Sequence, residues 1–364
     1  MQTSGKAAII NSRQNKYPIG SDEWVCATVA AVQHLREKDL TLLTSLGMNT
    51  WELTLALAAR LDLPVLIIAP RPIRVYPFMA DIRKRFNLKP DLSDFIFIGE
   101  SQSRPGKKWW AERDNYILDK ADFLFPVSVR PGGRMESGLN NRADKIRPEF
   151  KLDYKKIIRP RPRYDDLYLN PEIITGDWLI HFTRTSPGPW PGETEFDYYQ
   201  AMVNSAEEYC HSAINTLNQI LDESKIRAGT RNMRGGHKAV AFTAGLKENP
   251  GIFFRYRPRL VNAYFEPYGI AIERKAAESA GIKPVIYGEP DDYNSLTESE
   301  KPYFQNIGRM GIWRGEEEWR HIGDFDLGCL PPEAIRVIIY RDSERKAVAS
   351  RSPFEIIPFS EASC

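Results

Sequence analysis

At 364 residues the chain exceeds the size at which one hydrophobic core usually stops growing, so two domains are expected. Hydrophobic residues at 42% and aromatics at 11% exclude a chain too polar to bury a core. The 50 Lys and Arg against 48 Asp and Glu leave a formal charge of +2, which excludes a wholly basic nucleic-acid coat and confines any such contact to a local patch.

Cys26, Cys210, Cys329 and Cys364 are widely spaced with no C-x-x-C pair. This argues against a zinc site and a disulfide framework, so no metal is expected. The N-terminal MQTSGKAAII has no signal-peptide pattern. Apolar runs such as Val65–Ala69 are far shorter than the roughly 20 residues that span a bilayer. The expectation is a cytoplasmic protein with no membrane partner, and a homo-oligomer is left open.

In chain order, short apolar runs alternate with amphipathic stretches: Ala7–Asn11, Asp22–Lys38, Leu40–Ser45, Thr50–Leu61 and Pro64–Ala69. The same rhythm continues through a helix near Pro77–Phe86, the run Phe95–Gly99, a helix near Trp109–Lys120 and the run Phe123–Val129. It is the pattern of βαβ units, and it predicts an α/β, Rossmann-like, doubly wound parallel sheet. Ser21 before Asp22 and Glu23, and Asn49 with Glu52 three positions on, mark two helix starts.

The stretch 144–164 is rich in Lys, Arg and Pro and carries no helical period. It reads as a linker or a strand-like crossing between domains at 1–143 and 165–364. Beyond it, Trp178–Thr183 predicts a strand, Glu193–Asp222 one long helix with Leu217, Ile220 and Leu221 on a single face, and Ala239–Thr243 another strand. Further strands are predicted at Tyr268–Glu273, Pro284–Tyr287 and Ala334–Tyr340. One helix followed by several strands points to a separate α+β domain.

In a parallel sheet, ligands sit beyond the carboxyl ends of the strands, where helix N-termini offer free N–H groups. Three loops carry suitable chemistry. They are Asn11-Ser12-Arg13, Ser45-Leu46-Gly47-Met48-Asn49-Thr50, and the run from Arg130 to Gly138 containing Gly132, Gly133, Arg134 and Ser137. Glycines let backbone approach a phosphate, and arginines pair with it. The same residues would equally serve as tight turns and surface charges.

At these positions the chain resembles the SLOG superfamily, in particular the Rossmann domain of the DNA-processing protein A (Smf) family. The resemblance covers residues 6–140. It rests on Ser12-Arg13, Ser45-Leu46-Gly47, Arg113-Asp114-Asn115-Tyr116-Ile117 and Ser137-Gly138, in that order. It implies a nucleotide ligand, NAD or another, held by Ser12, Arg13, Gly47, Asn49, Thr50, Arg113, Arg130, Gly132, Gly133 and Ser137. The Gly-Thr step of the related lysine-decarboxylase-like enzymes is missing after Pro131-Gly132-Gly133, which favours binding or sensing over hydrolysis.

The second half carries His181-Phe182-Thr183, Phe242-Thr243, Tyr268-Gly269-Ile270, Pro284-Val285-Ile286-Tyr287 and Glu316-Glu317-Glu318-Trp319-Arg320. This order, over residues 178–340, resembles AbiGi-type abortive-infection proteins, although Ala244 stands where that family has an acid. More distantly the layout is similar to ADP-ribosyltransferases. That likeness implies an effector in which His181 holds NAD, Thr183 and Thr243 support the site, and Glu316 and Glu318 act on the nicotinamide ribose and stabilise its cationic character. On the residues alone, His181 reads as well as a core histidine, and Glu316–Glu318 as a solvated turn with Arg320 in a surface ion pair.

Arg255, Tyr256, Arg257 and Arg259, with Arg227, Arg231, Arg234 and Lys238 upstream, interleave cations with an aromatic. Such a pattern suits single-stranded nucleic acid, and it also suits a solvated face. The resemblances together imply a bacterial defence-type protein with a nucleotide-sensing first half and an effector second half, the alternative being a non-enzymatic nucleotide- or nucleic-acid-binding module.

Overall fold

The computed structural model describes residues 4–99, 106–155, 157, 170–230, 233–244, 254, 265–307 and 317–360. The chain divides into two compact units. Unit 1 comprises Met1–Pro160, Pro187–Pro189 and Glu193–Cys210; unit 2 comprises Arg161–Ser186, Trp190–Gly192 and His211–Cys364.

In unit 1 strands and helices alternate as β1 (Lys6–Asn11), α1 (Glu23–Glu37), β2 (Thr41–Ser45), α2 (Asn49–Arg60), β3 (Val65–Pro70), α3 (Val75–Arg85), β4 (Ser93–Ile98), α4 (Lys107–Lys120), β5 (Phe123–Ser128) and α5 (Arg134–Asn140). All five strands are parallel, in the order β4-β3-β2-β1-β5. The near-continuous apolar runs follow from burial on both faces. Ala7, Ile9, Phe125 and Val127 join a core with α1, α2 and Ile82 of α3, while Ala8, Ile10 and Leu124 face Ile117 and Leu118 of α4 and Leu139 of α5. The order runs outward from β1 to β4 and then returns to set β5 on the far side of β1. This is the doubly wound Rossmann-like sheet anticipated from sequence, and its order reverses between β1 and β5.

Both anticipated helix starts shift by one residue. Asp22, not Ser21, precedes α1 and accepts from the Ile19 amide at 3.1 Å. Met48, not Asn49, precedes α2. Asn49 instead donates its side-chain amide to the Asn15 carbonyl at 3.0 Å, and Glu52 reaches back to the Gly47 amide at 2.9 Å. From the basic stretch, Ile146 and Leu152 form parallel bridges to Leu124 and Ser128 of β5. Phe150, Leu152 and Ile157 pack on the core. Residues 156 and 158–164 of that stretch lie outside the described residues.

The chain continues as α6 (Pro171–Thr175), β6 (Trp178–Phe182), α7 (Glu195–Asn204), α8 (Ala213–Glu223), β7 (Lys225–Ile226), β8 (Ala239–Thr243), β9 (Gly269–Glu273), β10 (Lys283–Pro284), β11 (Ile286–Gly288), β12 (Phe304–Asn306), β13 (Glu318–Ile322), β14 (Phe325–Asp326), β15 (Ile335–Ile339) and β16 (Glu355–Pro358). Unit 2 is built on a seven-stranded sheet, β10-β13-β8-β6-β9-β15-β16, antiparallel except for the β15–β16 pair. Leu179, Phe242, Ile270, Ile272 and Val337 pack against Leu217, Ile220 and Leu221 of α8. On the opposite face Ile180, Phe182, Ala271 and Ile338 pack with Phe265 and Phe359. The α+β character expected of the second half is present.

The single helix expected over Glu193–Asp222 is two helices. Each has its own cap: the Thr194 hydroxyl accepts from the Asp197 amide at 3.1 Å, and Ser212 from that of Asn215 at 3.3 Å. They also belong to different units, α7 contributing Tyr198, Tyr199 and Met202 to the unit 1 core and α8 lying in unit 2. The strand expected over Pro284–Tyr287 is likewise two short strands in different sheets, β10 and β11.

Candidate functional site: the carboxyl rim of the parallel sheet

At the order reversal, the loops after β1 and β5 are tied into one piece. Asn11, buried, donates to the Thr28 hydroxyl at 3.1 Å and accepts from the Ser128 amide at 3.2 Å. The Ser12 amide donates to the Ser128 carbonyl at 2.8 Å, and the Ser12 hydroxyl accepts from the Arg130 amide at 2.8 Å. Tyr154 adds a bond from its hydroxyl to the Arg13 carbonyl at 3.3 Å. This lattice fixes the backbone of Arg13 and Arg130, whose exposed guanidinium groups have no carboxylate partner among the described residues.

Next to β1, the N-terminus of α2 faces the same rim through the Asn49 to Asn15 bond. Thr50, only 2% exposed, has a buried hydroxyl with no partner among the described residues. Of the residues predicted from sequence, Ser12, Arg13, Asn49, Thr50 and Arg130 therefore gather around the carboxyl ends of β1, β2 and β5.

The others are engaged internally. Gly47, at φ +85°, gives its amide to Glu52; Gly132, at φ +68°, gives its amide to Glu136 at 2.7 Å. The Gly133 amide bonds the Arg130 carbonyl at 3.2 Å, and Ser137 sits over the Gly133 carbonyl at 3.4 Å. Arg113 is buried. It donates to Asp114 at 2.7 Å and to the Leu46 carbonyl at 3.1 Å, with the Trp51 and Trp109 rings 5.7 and 5.5 Å away. The second oxygen of Asp114 accepts from Arg134 at 2.8 Å. Arg113 thus braces the β2–α2 loop from beneath, a buried cation kept paired as its desolvation demands.

Sequence reasoning missed the β3–β4 end of the rim. Pro70 and Ile98 stand opposite one another at the ends of β3 and β4, and the Trp109 indole donates to the Ile98 carbonyl at 3.3 Å. Ile73, Tyr76 and Trp110 are 82%, 84% and 43% exposed, three of the five exposed large hydrophobics among the described residues. Arg71, Arg74, Lys107 and Lys108 are exposed as well. The available signal was the run Pro70–Pro77, where Ile and Tyr alternate with Arg outside any buried period.

In unit 2 the register separates the residues assigned by resemblance. His181 stands beside Phe242 on the α8 face of the sheet, with ring centroids 5.9 Å apart, and its Nδ1 bonds the Ala241 carbonyl at 2.8 Å. Thr183 also faces α8, its hydroxyl donating to the Ala213 carbonyl at 2.8 Å. Glu318 pairs with Thr243 across β13 and β8, and Thr243 pairs with Ile180, whose side chain joins the other core. Because side chains alternate along a strand, His181 and Thr183 point to one face while Thr243 and Glu318 point to the other.

Glu318 is not a solvated turn residue. It opens β13 and accepts from Arg320 at 2.7 Å, and Arg320 is buried rather than part of a surface pair. Glu316, Arg231, Arg255, Tyr256, Arg257 and Arg259 lie outside the described residues. Arg227 pairs with Glu223 at 2.7 Å, and Arg234 lies 4.1 Å over the Tyr293 ring.

Desolvation pushes the His181 imidazole down to about 4, assisted by the positive charge of Arg184 and opposed by the Ala241 bond. The ring is therefore expected to be neutral at pH 7. NMR titration should show its resonances shifting near pH 4, with stability declining as the pH falls from about 6.5, where the unfolded chain takes up the proton, toward 4. A midpoint at 6 or above would show that the ring is solvated.

No family model and no curated protein matches the chain. Among solved structures it is similar to DNA processing protein A of Streptococcus pneumoniae, with a TM-score of 0.31 and 11% identity over 39% of this chain and 47% of that one. It is also similar to DNA processing protein A of Helicobacter pylori, a structure describing a single-stranded DNA binding mode, with a TM-score of 0.30 and 15% identity over 40% of this chain and 66% of that one. The chain thus spans less than two thirds of either neighbour's length.

Among the described residues no group of three or more His, Cys, Asp and Glu is placed to hold a metal ion, and no helix is long and apolar enough to cross a membrane. The rim's chemistry is cationic and aromatic. It can bind anions and stack flat rings.

Proposed function

We propose that unit 1 is a nucleic-acid-binding module in which a single strand crosses the carboxyl rim of the parallel sheet. The observation that carries this reading is the rim itself, where exposed Arg13 and Arg130 follow β1 and β5, and exposed Arg71, Arg74, Tyr76, Lys107 and Trp110 follow β3 and β4. Cations track a phosphodiester backbone, and an aromatic face stacks any base, so the combination suits a strand whose bases are splayed out. Large exposed aromatic side chains such as Tyr76 and Trp110 have no use in folding unit 1. A mononucleotide would engage the β1–β5 end and leave Tyr76 and Trp110 idle.

The test is fluorescence anisotropy with a labelled single-stranded oligonucleotide at fixed salt. Tyr76→Ala and Trp110→Ala are each expected to weaken binding by about 1–3 kcal/mol, the scale of one lost base–aromatic stack. Equal affinity for a duplex, or unchanged affinity in both variants, defeats the reading.

A further inference from the structure

The rim does not end at β5. The Leu152 amide donates to the Val127 carbonyl at 2.7 Å, and Leu152 and Ile146 bridge Ser128 and Leu124 in parallel register. The segment 146–152 therefore runs beside β5 in the same direction, on the side away from β1, and covers that edge of the sheet. Because Ser128 is the last residue of β5, residues 153–155 pass beyond its carboxyl end and onto the rim. Residues 151–155 alternate between exposed and half-buried, as an extended chain does, with Leu152 and Tyr154 on the half-buried side. The Tyr154 hydroxyl donates to the Arg13 carbonyl at 3.3 Å, which satisfies its polar end and holds its ring at the β1 loop. At the other edge the Trp109 indole bonds the end of β4, and exposed Trp110 follows it. Aromatic rings thus stand at opposite edges of the rim, five inter-strand spacings or about 24 Å apart, with the loops of Arg13 and Arg130 after the strands between them.

We propose that Tyr154 is a base-stacking residue at the β5 end of the rim, and that a bound strand runs from Trp110 to Tyr154 across the whole sheet. The inference rests on the nucleic-acid reading and deepens it by fixing the path of the strand and its length. At about 3.4 Å per nucleotide for a stacked strand, 24 Å corresponds to a site of about seven nucleotides, and fewer where the bases are splayed. No mononucleotide reaches both ends. The hydroxyl bond to Arg13 also has a use here, since a ring fixed before the strand arrives loses less freedom on stacking.

The experiment is fluorescence anisotropy of the full chain with labelled oligothymidylates of increasing length at fixed salt, with thermal denaturation confirming the fold of each variant. Wild-type affinity is expected to climb steeply up to about seven nucleotides and only gradually beyond. Tyr154→Ala is expected to weaken binding of the longer oligonucleotides about fivefold or more, the loss of one base–aromatic stack, and to level off at a shorter length. Tyr154→Phe lacks the bond to Arg13 but keeps a ring that stacks, so it should stay within about twofold of wild type. Photocrosslinking of wild type to a bromouracil-substituted strand is expected to label Tyr154, and it needs no variant to fold. Equal losses in Tyr154→Ala and Tyr154→Phe would make the residue a brace for the β1 loop and overturn the inference. So would unchanged affinity in Tyr154→Ala, or crosslinks that miss Tyr154. In each of those results wild type still binds the strand, and the nucleic-acid reading stands. Failure of wild type to bind at any length defeats that reading instead, and this inference with it.

Discussion

Arg320→Ala is expected to lower the stability of unit 2 by about 3–5 kcal/mol, the cost of breaking a buried ion pair from one side. Arg320 is 2% exposed, and its guanidinium reaches four acceptors: Glu318 at 2.7 Å, the Pro302 and Phe304 carbonyls at 3.1 and 2.9 Å, and Gln305 at 2.6 Å. These bonds join β13 of the large sheet to β12 of the small one, with no backbone ladder between them. Alanine would leave the Glu318 carboxylate and two main-chain carbonyls without their donor in a space water does not readily enter. Glu318→Gln keeps an acceptor facing Arg320 and should cost only about 1 kcal/mol. Urea denaturation followed by far-UV circular dichroism separates the two variants. A loss below 1 kcal/mol for Arg320→Ala would show that β13 and β12 are held by something other than this side chain.

The same arginine shows where sequence reading stops. In the first half, strands such as Ala7–Asn11 and Pro64–Ala69 are apolar on both faces and the intervening helices carry one apolar stripe, so hydrophobic period alone gave elements and order. In the second half β13 reads Glu-Trp-Arg-His-Ile, and its polar residues look solvated until Arg320 is seen to be satisfied by acceptors from distant positions. The long helix expected over Glu193–Asp222 failed for a related reason. Both parts are helical, but the capping hydroxyl of Ser212 restarts the helix, and only tertiary packing assigns α7 to one unit and α8 to the other.

At the site, residue type located the loops around Ser12, Arg13, Thr50 and Arg130. It did not reveal that Gly47 and Gly132 are self-capped, because a glutamate four or five residues downstream reads as ordinary helix-start chemistry. The motif order through His181 and Glu318 was legible, but strand register, which fixes the face of each side chain, is not carried by motif order.

Arg13→Ala combined with Arg130→Ala is expected to reduce oligonucleotide affinity by about 2–6 kcal/mol, taking about 1–3 kcal/mol for each charge-assisted phosphate contact. Both side chains are exposed and lack carboxylate partners among the described residues, so their removal should leave the melting temperature of unit 1 nearly unchanged. The salt dependence gives the sharper reading. Each phosphate contact on a single strand contributes about −0.7 to the slope of log K against log salt, so the double variant should flatten that slope by about 1.4. Replacing both residues by lysine preserves the charges but removes the planar fork that grips a phosphate, so the slope should persist while part of the affinity is lost. Two results would place the strand elsewhere on the protein: an alanine pair with the wild-type slope, or a lysine pair indistinguishable from alanine. With either, the lattice joining Asn11, Ser12, Ser128 and Arg130 would serve only to close the sheet at its order reversal.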